Sequence, residues 1–176
     1  MRIESLKALI GDVPDFPHKG ILFRDISPLL AAPNALASAA MLMAEHLQSL
    51  KQPPTVIAGP ESRGFIFGVA LAQHLSLGFV PIRKQGKLPR AVYRQGYALE
   101  YGEDALEVHQ DAFKKSDRVL LVDDLLATGG TAEACVALVQ KVGAQLAGAS
   151  FVIELQSLKV RKRLAEVKVN TLIQYP

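Results

Sequence analysis

Two adjacent carboxylates, Asp123 and Asp124, stand shortly before a run of small and hydroxylated residues, Ala127, Thr128, Gly129, Gly130 and Thr131. Carboxylates accept hydrogen bonds from hydroxyls, so a pair of them suits a ribose with free 2′ and 3′ hydroxyls. Backbone N–H groups of a Gly-rich turn at the start of a helix converge and carry partial positive charge. They wrap a phosphate without needing Lys or Arg, and Thr128 and Thr131 add hydroxyl donors. Together the residues suit a ribose 5-phosphate: the sugar on Asp123 and Asp124, the phosphate on residues 127–131.

Three further groups of residues carry chemistry. Gly59-Pro60-Glu61-Ser62-Arg63-Gly64 is a second turn between an apolar run and a helical pattern, where free amides and Arg63 could hold a pyrophosphate; an ordinary strand–helix turn is the alternative. Residues 83–102 hold Arg83, Lys84, Lys87, Arg90 and Arg94 with Gly86, Pro89 and Gly96, and read as a positively charged loop. Leu22-Phe23-Arg24-Asp25 offers an aromatic face for stacking on a base, although a buried Phe in a strand has the same pattern. Other nucleotide motifs are missing. There is no G-x-x-x-x-G-K-[ST] to make the acidic strand that of a P-loop enzyme, and no G-x-G-x-x-G.

The elements that must position these residues follow from periodicity. Val119–Val122 is a strand apolar on both faces. The helix after it carries Ala132, Cys135, Val136, Val139 and Val142 at helical spacing and closes at Gly143. Upstream, the patterns predict a short helix over 3–10, a turn-rich stretch over 11–23, a long helix over 33–50, a strand over 55–58, a helix over 65–75 and a strand over 79–83. A hairpin over 92–109 turning at Gly102-Glu103-Asp104, a strand over 148–155, a basic helix over 157–166 and a last strand over 167–174 complete the chain. Strands alternating with helices predict an α/β fold with a mostly parallel central sheet flanked by helices. Ligands of such sheets bind beyond the carboxyl ends of the strands, where both turns fall.

Composition narrows the class. The 176 residues suffice for one domain with a substantial core. They contain no uninterrupted apolar run of membrane-spanning length, and the N-terminus lacks the apolar stretch of a signal peptide. One cysteine, Cys135, excludes an internal disulfide and reads as core packing. A cytoplasmic protein is the expectation. Net charge is +3, and the cluster Lys159, Arg161, Lys162, Arg163 reads as a solvated helix face, not a nucleic-acid contact. His18, His46, His74 and His109 show no zinc-ligand spacing, and no direct protein ligand to a metal is expected.

VLLVDDLLATGGT over 119–131 resembles the phosphoribosyl pyrophosphate signature of type I phosphoribosyltransferases. GILFRDISPLL at 20–30, AGPESRGFIFG at 58–68, PIRKQGKLP at 81–89 and LEYG at 99–102 resemble stretches of the same family in order, nearest to its adenine-using members. The resemblance implies a base-binding hood over residues 1–35 and a flexible lid over 83–102. It implies pyrophosphate binding by Glu61, Ser62, Arg63, Arg83, Lys84 and Lys87, with a cis peptide between Glu61 and Ser62. It implies adenine binding by Leu22, Phe23 and Arg24, and Glu100 as the catalytic acid/base at the purine N7. Arg90 stands where many relatives have Gly, which implies a stiffer loop tip. The implied reaction joins adenine to phosphoribosyl pyrophosphate and gives AMP and pyrophosphate, with Mg2+ to neutralise the leaving group, in a homodimer with no nucleic-acid or membrane partner. Two alternatives stand: a transferase for another purine such as xanthine, and a non-catalytic regulator that binds phosphoribosyl pyrophosphate. The regulators carry an appended DNA-binding segment, for which this chain has no room.

Overall fold

The computed structural model describes residues 1–48, 50, 52–99 and 102–176. After α1 (Ile3–Lys7), a two-stranded antiparallel sheet forms from β1 (Gly11–Pro14) and β2 (Leu22–Asp25), with Val13 opposite Phe23. Helices α2 (Ser27–Ala31) and α3 (Ala35–Leu47) lead to β3 (Val56–Pro60), α4 (Arg63–Leu75) and β4 (Gly78–Lys84). The hairpin β5 (Val92–Leu99) and β6 (Gly102–His109), then β7 (Arg118–Leu126), α5 (Gly130–Val142), β8 (Gln145–Leu155) and β9 (Val169–Tyr175) complete the fold. The main sheet has the order β5-β6-β4-β3-β7-β8-β9. From β4 to β9 it is parallel, and the hairpin adds its two strands antiparallel.

Strand β7 lies at the centre because it can be buried on both faces. Leu120 and Val122 pack with Met43, Leu47, Phe67 and Leu71 of α3 and α4. Val119 and Leu121 pack with Cys135, Leu138 and Val139 of α5. This period-two alternation matters at the carboxyl end, where the two acids continue it. Gly143 ends α5 in the left-handed conformation at φ +87°, as its position predicts.

Three expectations change. Residues 83–102 are not one irregular loop: β4 runs to Lys84 and β5 pairs with β6 from Val92 to Leu99, leaving 85–91 as the connection. Tyr93 and Tyr97 pack against the α5 side of the core, and that burial favours strand over loop. The hairpin also turns earlier than 102–104, since Leu99 already faces Gly102 and Asp104 pairs with Tyr97. The basic helix over 157–166 is instead two short 3-10 turns, Gln156–Leu158 and Val160–Lys162, divided by Lys159 at φ +50°. Its basic residues are exposed, as expected, but two of them are also paired: Arg161 with Glu154 and Arg163 with Glu133.

Candidate active site

The β7–α5 junction forms the glycine turn at a helix start that the sequence predicts. Gly129 adopts φ +85° at the N-cap of α5, and a Cβ there would lie 2.4 Å from Val160 Cγ1. Only glycine meets both conditions. The Glu133 amide donates to the Gly129 carbonyl at 2.9 Å, closing the first turn. The first amides of a helix have no partner within it and carry its partial positive charge. From outside, Arg163 donates to the Thr128 carbonyl at 2.9 Å and forks onto both carboxylate oxygens of Glu133 at 2.8 and 2.5 Å.

The pleat of β7 separates the two acids. Asp124 continues the face of Leu120 and Val122 toward α4, where Arg63 Nε lies 3.0 Å from Oδ2. Asp123 continues the other face, beside Ala132, Cys135 and Phe151, and its Oδ1 accepts the Asp124 amide at 2.9 Å. Burial, then the neighbouring Asp124 carboxylate, pushes the Asp123 acid well above the usual range. Burial pushes Asp124 up as well, against the pull of Arg63. Burial likewise raises the Cys135 thiol far from reactivity, in keeping with its packing role. Both acids, Arg63 and residues 125–129 line a cleft of ≈ 170 Å³ at the carboxyl end of the sheet.

Arg63 does not stand free for pyrophosphate. Besides pairing with Asp124, its guanidinium carbon sits 5.6 Å from the centre of the Phe23 ring, within cation–π range. It thereby connects the acidic pair with β2. Phe23 is also braced by Phe16, edge-to-face at 5.1 Å. Arg24, the next residue, points to the other face of β2, where it pairs with Asp12 and stacks 3.7 Å from the Tyr175 ring centre. Its side chain therefore anchors the segment, and only its backbone remains for a ligand. Leu22 is exposed beside Phe23.

The second turn is equally constrained. The Glu61–Ser62 peptide is cis. The Glu61 amide donates to the Ile82 carbonyl at 2.8 Å. Its carboxylate accepts from Arg83 Nε at 3.1 Å and the Lys84 amide at 3.0 Å. The Arg83 bond, the Lys84 amide and the charges of Arg83 and Lys87 hold it below the usual carboxylate range. Glu61 thus gathers the basic residues, a role that fits a carboxylate better than contact with an anion. Ser62 is exposed at the N-cap of α4. Gly59 and Gly64 let this turn press onto β7: a Cβ at either would lie 2.9–3.0 Å from the Val122 carbonyl.

Spacing alone missed several participants. Lys84 Nζ lies 3.4 Å from Asp104, which accepts the Tyr97 hydroxyl at 3.2 Å, and Tyr93 and Tyr97 pack on the core cluster that includes Ala132 and Cys135 of α5. The hairpin therefore touches both the basic cluster and α5. The alternation over 92–109 carried the signal for the hairpin, and the overlapping loop over 83–102 is the expectation that gives way. Glu100 lies outside the described residues. Two larger apolar grooves, of ≈ 480 and ≈ 550 Å³, flank His74 on α3 and α4, far in kind from this polar cleft. Among the described residues no cluster of three metal-ligating side chains occurs, and no helix is long and apolar enough to cross a membrane.

Comparison with known proteins agrees with this geometry. The phosphoribosyl transferase domain family matches residues 25–174. An adenine phosphoribosyltransferase of Francisella philomiragia is 59% identical over 175 residues, 99% of this chain and 100% of that protein. The crystal structure of adenine phosphoribosyltransferase from Thermoanaerobacter pseudethanolicus superposes with a TM-score of 0.94 at 44% identity, covering 98% of this chain and 99% of that one. The Saccharomyces cerevisiae adenine phosphoribosyltransferase, complexed with an imino-altritol bisphosphate and adenine, gives 0.88 at 41% identity over 97% of both chains. With a glycine turn opening a helix at the end of a central parallel sheet, an acidic pair before it and relatives alike over their whole length, the chain belongs to the phosphoribosyltransferase family.

Proposed function

We propose that this protein transfers the phosphoribosyl group of phosphoribosyl pyrophosphate to adenine, giving AMP and pyrophosphate in purine salvage. The observation that carries the reading is the position of Arg63, 3.0 Å from Asp124 and 5.6 Å from the Phe23 ring centre. It makes one continuous track from a sugar-phosphate site to an aromatic platform. The 5-phosphate sits on the amides of Ala127 to Thr131, the ribose hydroxyls on Asp123 and Asp124, and the adenine against Phe23 with Leu22 and the backbone of Arg24 at its edge. Arg83, Lys84, Lys87 and the amides around Ser62 take the pyrophosphate, with Glu61 ordering the cations.

Adenine N9 bonds to the ribose C1 as the bond from C1 to pyrophosphate oxygen breaks, with inversion through a cation-like transition state. Glu100 takes the proton from N7. The other residues contribute position and electrostatic stabilisation. Mg2+ would be held by oxygens of the pyrophosphate and by water, with Asp123 and Asp124 kept for the ribose hydroxyls and no protein side chain needed as a direct ligand. When bound, the ion neutralises charge on the leaving group. Residues 1–35 act as a hood over the base. The 85–91 connection and the β5–β6 hairpin act as a cover that excludes water when closed.

A cytoplasmic homodimer fits the same reading. Exposed Met41 and Val69, beside the apolar grooves of α3 and α4, support pairing of two copies on that face.

The direct test follows AMP formation from adenine, phosphoribosyl pyrophosphate and Mg2+, with guanine, hypoxanthine and xanthine as competitors. AMP should form, and none of the competitors should be used comparably. A protein that makes no AMP, or prefers another base, overturns the assignment. Glu100→Gln should retain AMP affinity and lose about a hundredfold or more in turnover; unchanged turnover excludes that role.

A further inference from the structure

Glu133 poses an electrostatic problem for the anion cradle. It lies in the first turn of α5, its amide bonded to the Gly129 carbonyl, so its carboxylate belongs to the same turn that must receive a phosphate dianion. A free carboxylate there favours the empty helix end but repels the ligand. Arg163 meets this charge with both ends of its fork, Nε and Nη2, on the two Glu133 oxygens, while Nη1 donates to the Thr128 carbonyl inside the cradle. The guanidinium is held in place from behind. Arg161, two residues earlier, forks onto the buried Glu154 at 2.7 Å on each arm, and Val160 fills the space beside Gly129. The segment that composition alone reads as a solvated basic face is thus packed against the outside of the phosphate loop.

We propose that Arg163 is a positioning residue for the 5-phosphate: it cancels the Glu133 charge and fixes the Thr128 carbonyl, so that the cradle presents its amides to a dianion without a competing anion. This rests on the placement of the phosphate at residues 127–131. Its effect is on ligands that carry the phosphate and not on the base.

The test measures AMP affinity by calorimetry and the steady-state constants for both substrates in four variants. Arg163→Lys keeps the charge but loses the fork, and its AMP affinity should fall between those of the parent and Arg163→Gln. Arg163→Gln keeps a donor for the Thr128 carbonyl but loses the charge. It should weaken AMP and raise the KM for phosphoribosyl pyrophosphate about tenfold, with the KM for adenine and kcat within about twofold. Glu133→Gln combined with Arg163→Gln should return AMP affinity to within about threefold of the parent, a rescue that a purely structural arginine would not show. The double change Asp123→Asn, Asp124→Asn is the control for the site. If it weakens AMP while Arg163→Gln does not, or if the Glu133→Gln rescue fails, the role of Arg163 is overturned. If AMP affinity is unmoved by both the aspartate and the arginine changes, the placement of the phosphate falls with it.

Discussion

At the scale of single residues, Asp123 illustrates a site whose ionisation works against the fold. The unfolded chain ionises this acid in the ordinary aspartate range, about pH 4, whereas burial and Asp124 make the folded protein hold the proton to higher pH. Between the two values unfolding releases a proton, so stability falls as pH rises through that window and stays reduced above it. Asp123→Asn keeps the oxygen that accepts the Asp124 amide and removes the ionisation. It should raise Tm at neutral pH by about 2–4 °C, give no gain below about pH 4, and weaken AMP binding. Thermal melts across pH, paired with calorimetry, check all three. The adjacency of two acids was plain in the sequence. That the pleat gives one to α4 and the other to α5 follows from strand alternation once β7 is known to extend through them. That Arg63 meets Asp124 does not, because it depends on the docking of α4.

At the scale of elements, the turns matter more than the strands they join. The β3–α4 turn presses onto β7 so closely that an alanine at Gly64 would put its Cβ 2.7 Å from Pro60 Cδ and 3.0 Å from Asp123 Oδ1. Gly64→Ala should cost about 1–3 kcal/mol in urea unfolding and displace Asp123, lowering AMP affinity as well. On the other side of the site, Arg161 holds the 3-10 segment by pairing with Glu154, which is buried in β8 and also accepts from Thr171 of β9. Arg161→Ala leaves that acid without its counter-ion and should cost about 2 kcal/mol at neutral pH. The Arg161 bond holds Glu154 below the usual range, so its stabilisation is complete above about pH 4–5 and lost as pH falls further. The difference between parent and variant should therefore shrink in acid. Neither pairing was legible in local pattern: Lys159, Arg161, Lys162 and Arg163, four basic residues in five positions, resemble a solvated helix until β8 and β9 place an acid beneath them.

For the whole molecule, the sheet order decides which loops meet. With β3 between β4 and β7, the β3–α4 and β7–α5 turns become neighbours and the basic end of β4 reaches the first of them. The antiparallel hairpin extends the sheet so that Tyr93 and Tyr97 pack on the α5 side of the core. Helices α3 and α4, covering the opposite face, leave Met41 and Val69 exposed. Sedimentation should give a particle of twice the 19.0 kDa chain mass, and Val69→Glu should shift it toward one copy. A parent that sediments as a single chain would remove the dimer.

The local chemistry was written in the chain. An apolar run, two acids, glycines before a helix and the helix itself are short-range features, because hydrophobic periodicity and the conformational freedom of Gly129 act within a few residues. Pairings between distant residues were not: Arg63 with Asp124, Arg83 with Glu61 and Arg163 with Glu133 exist only because sheet order and strand register carry separate segments to one edge. A charged side chain takes whichever opposite charge the packed backbone brings within reach, and that choice belongs to the tertiary structure.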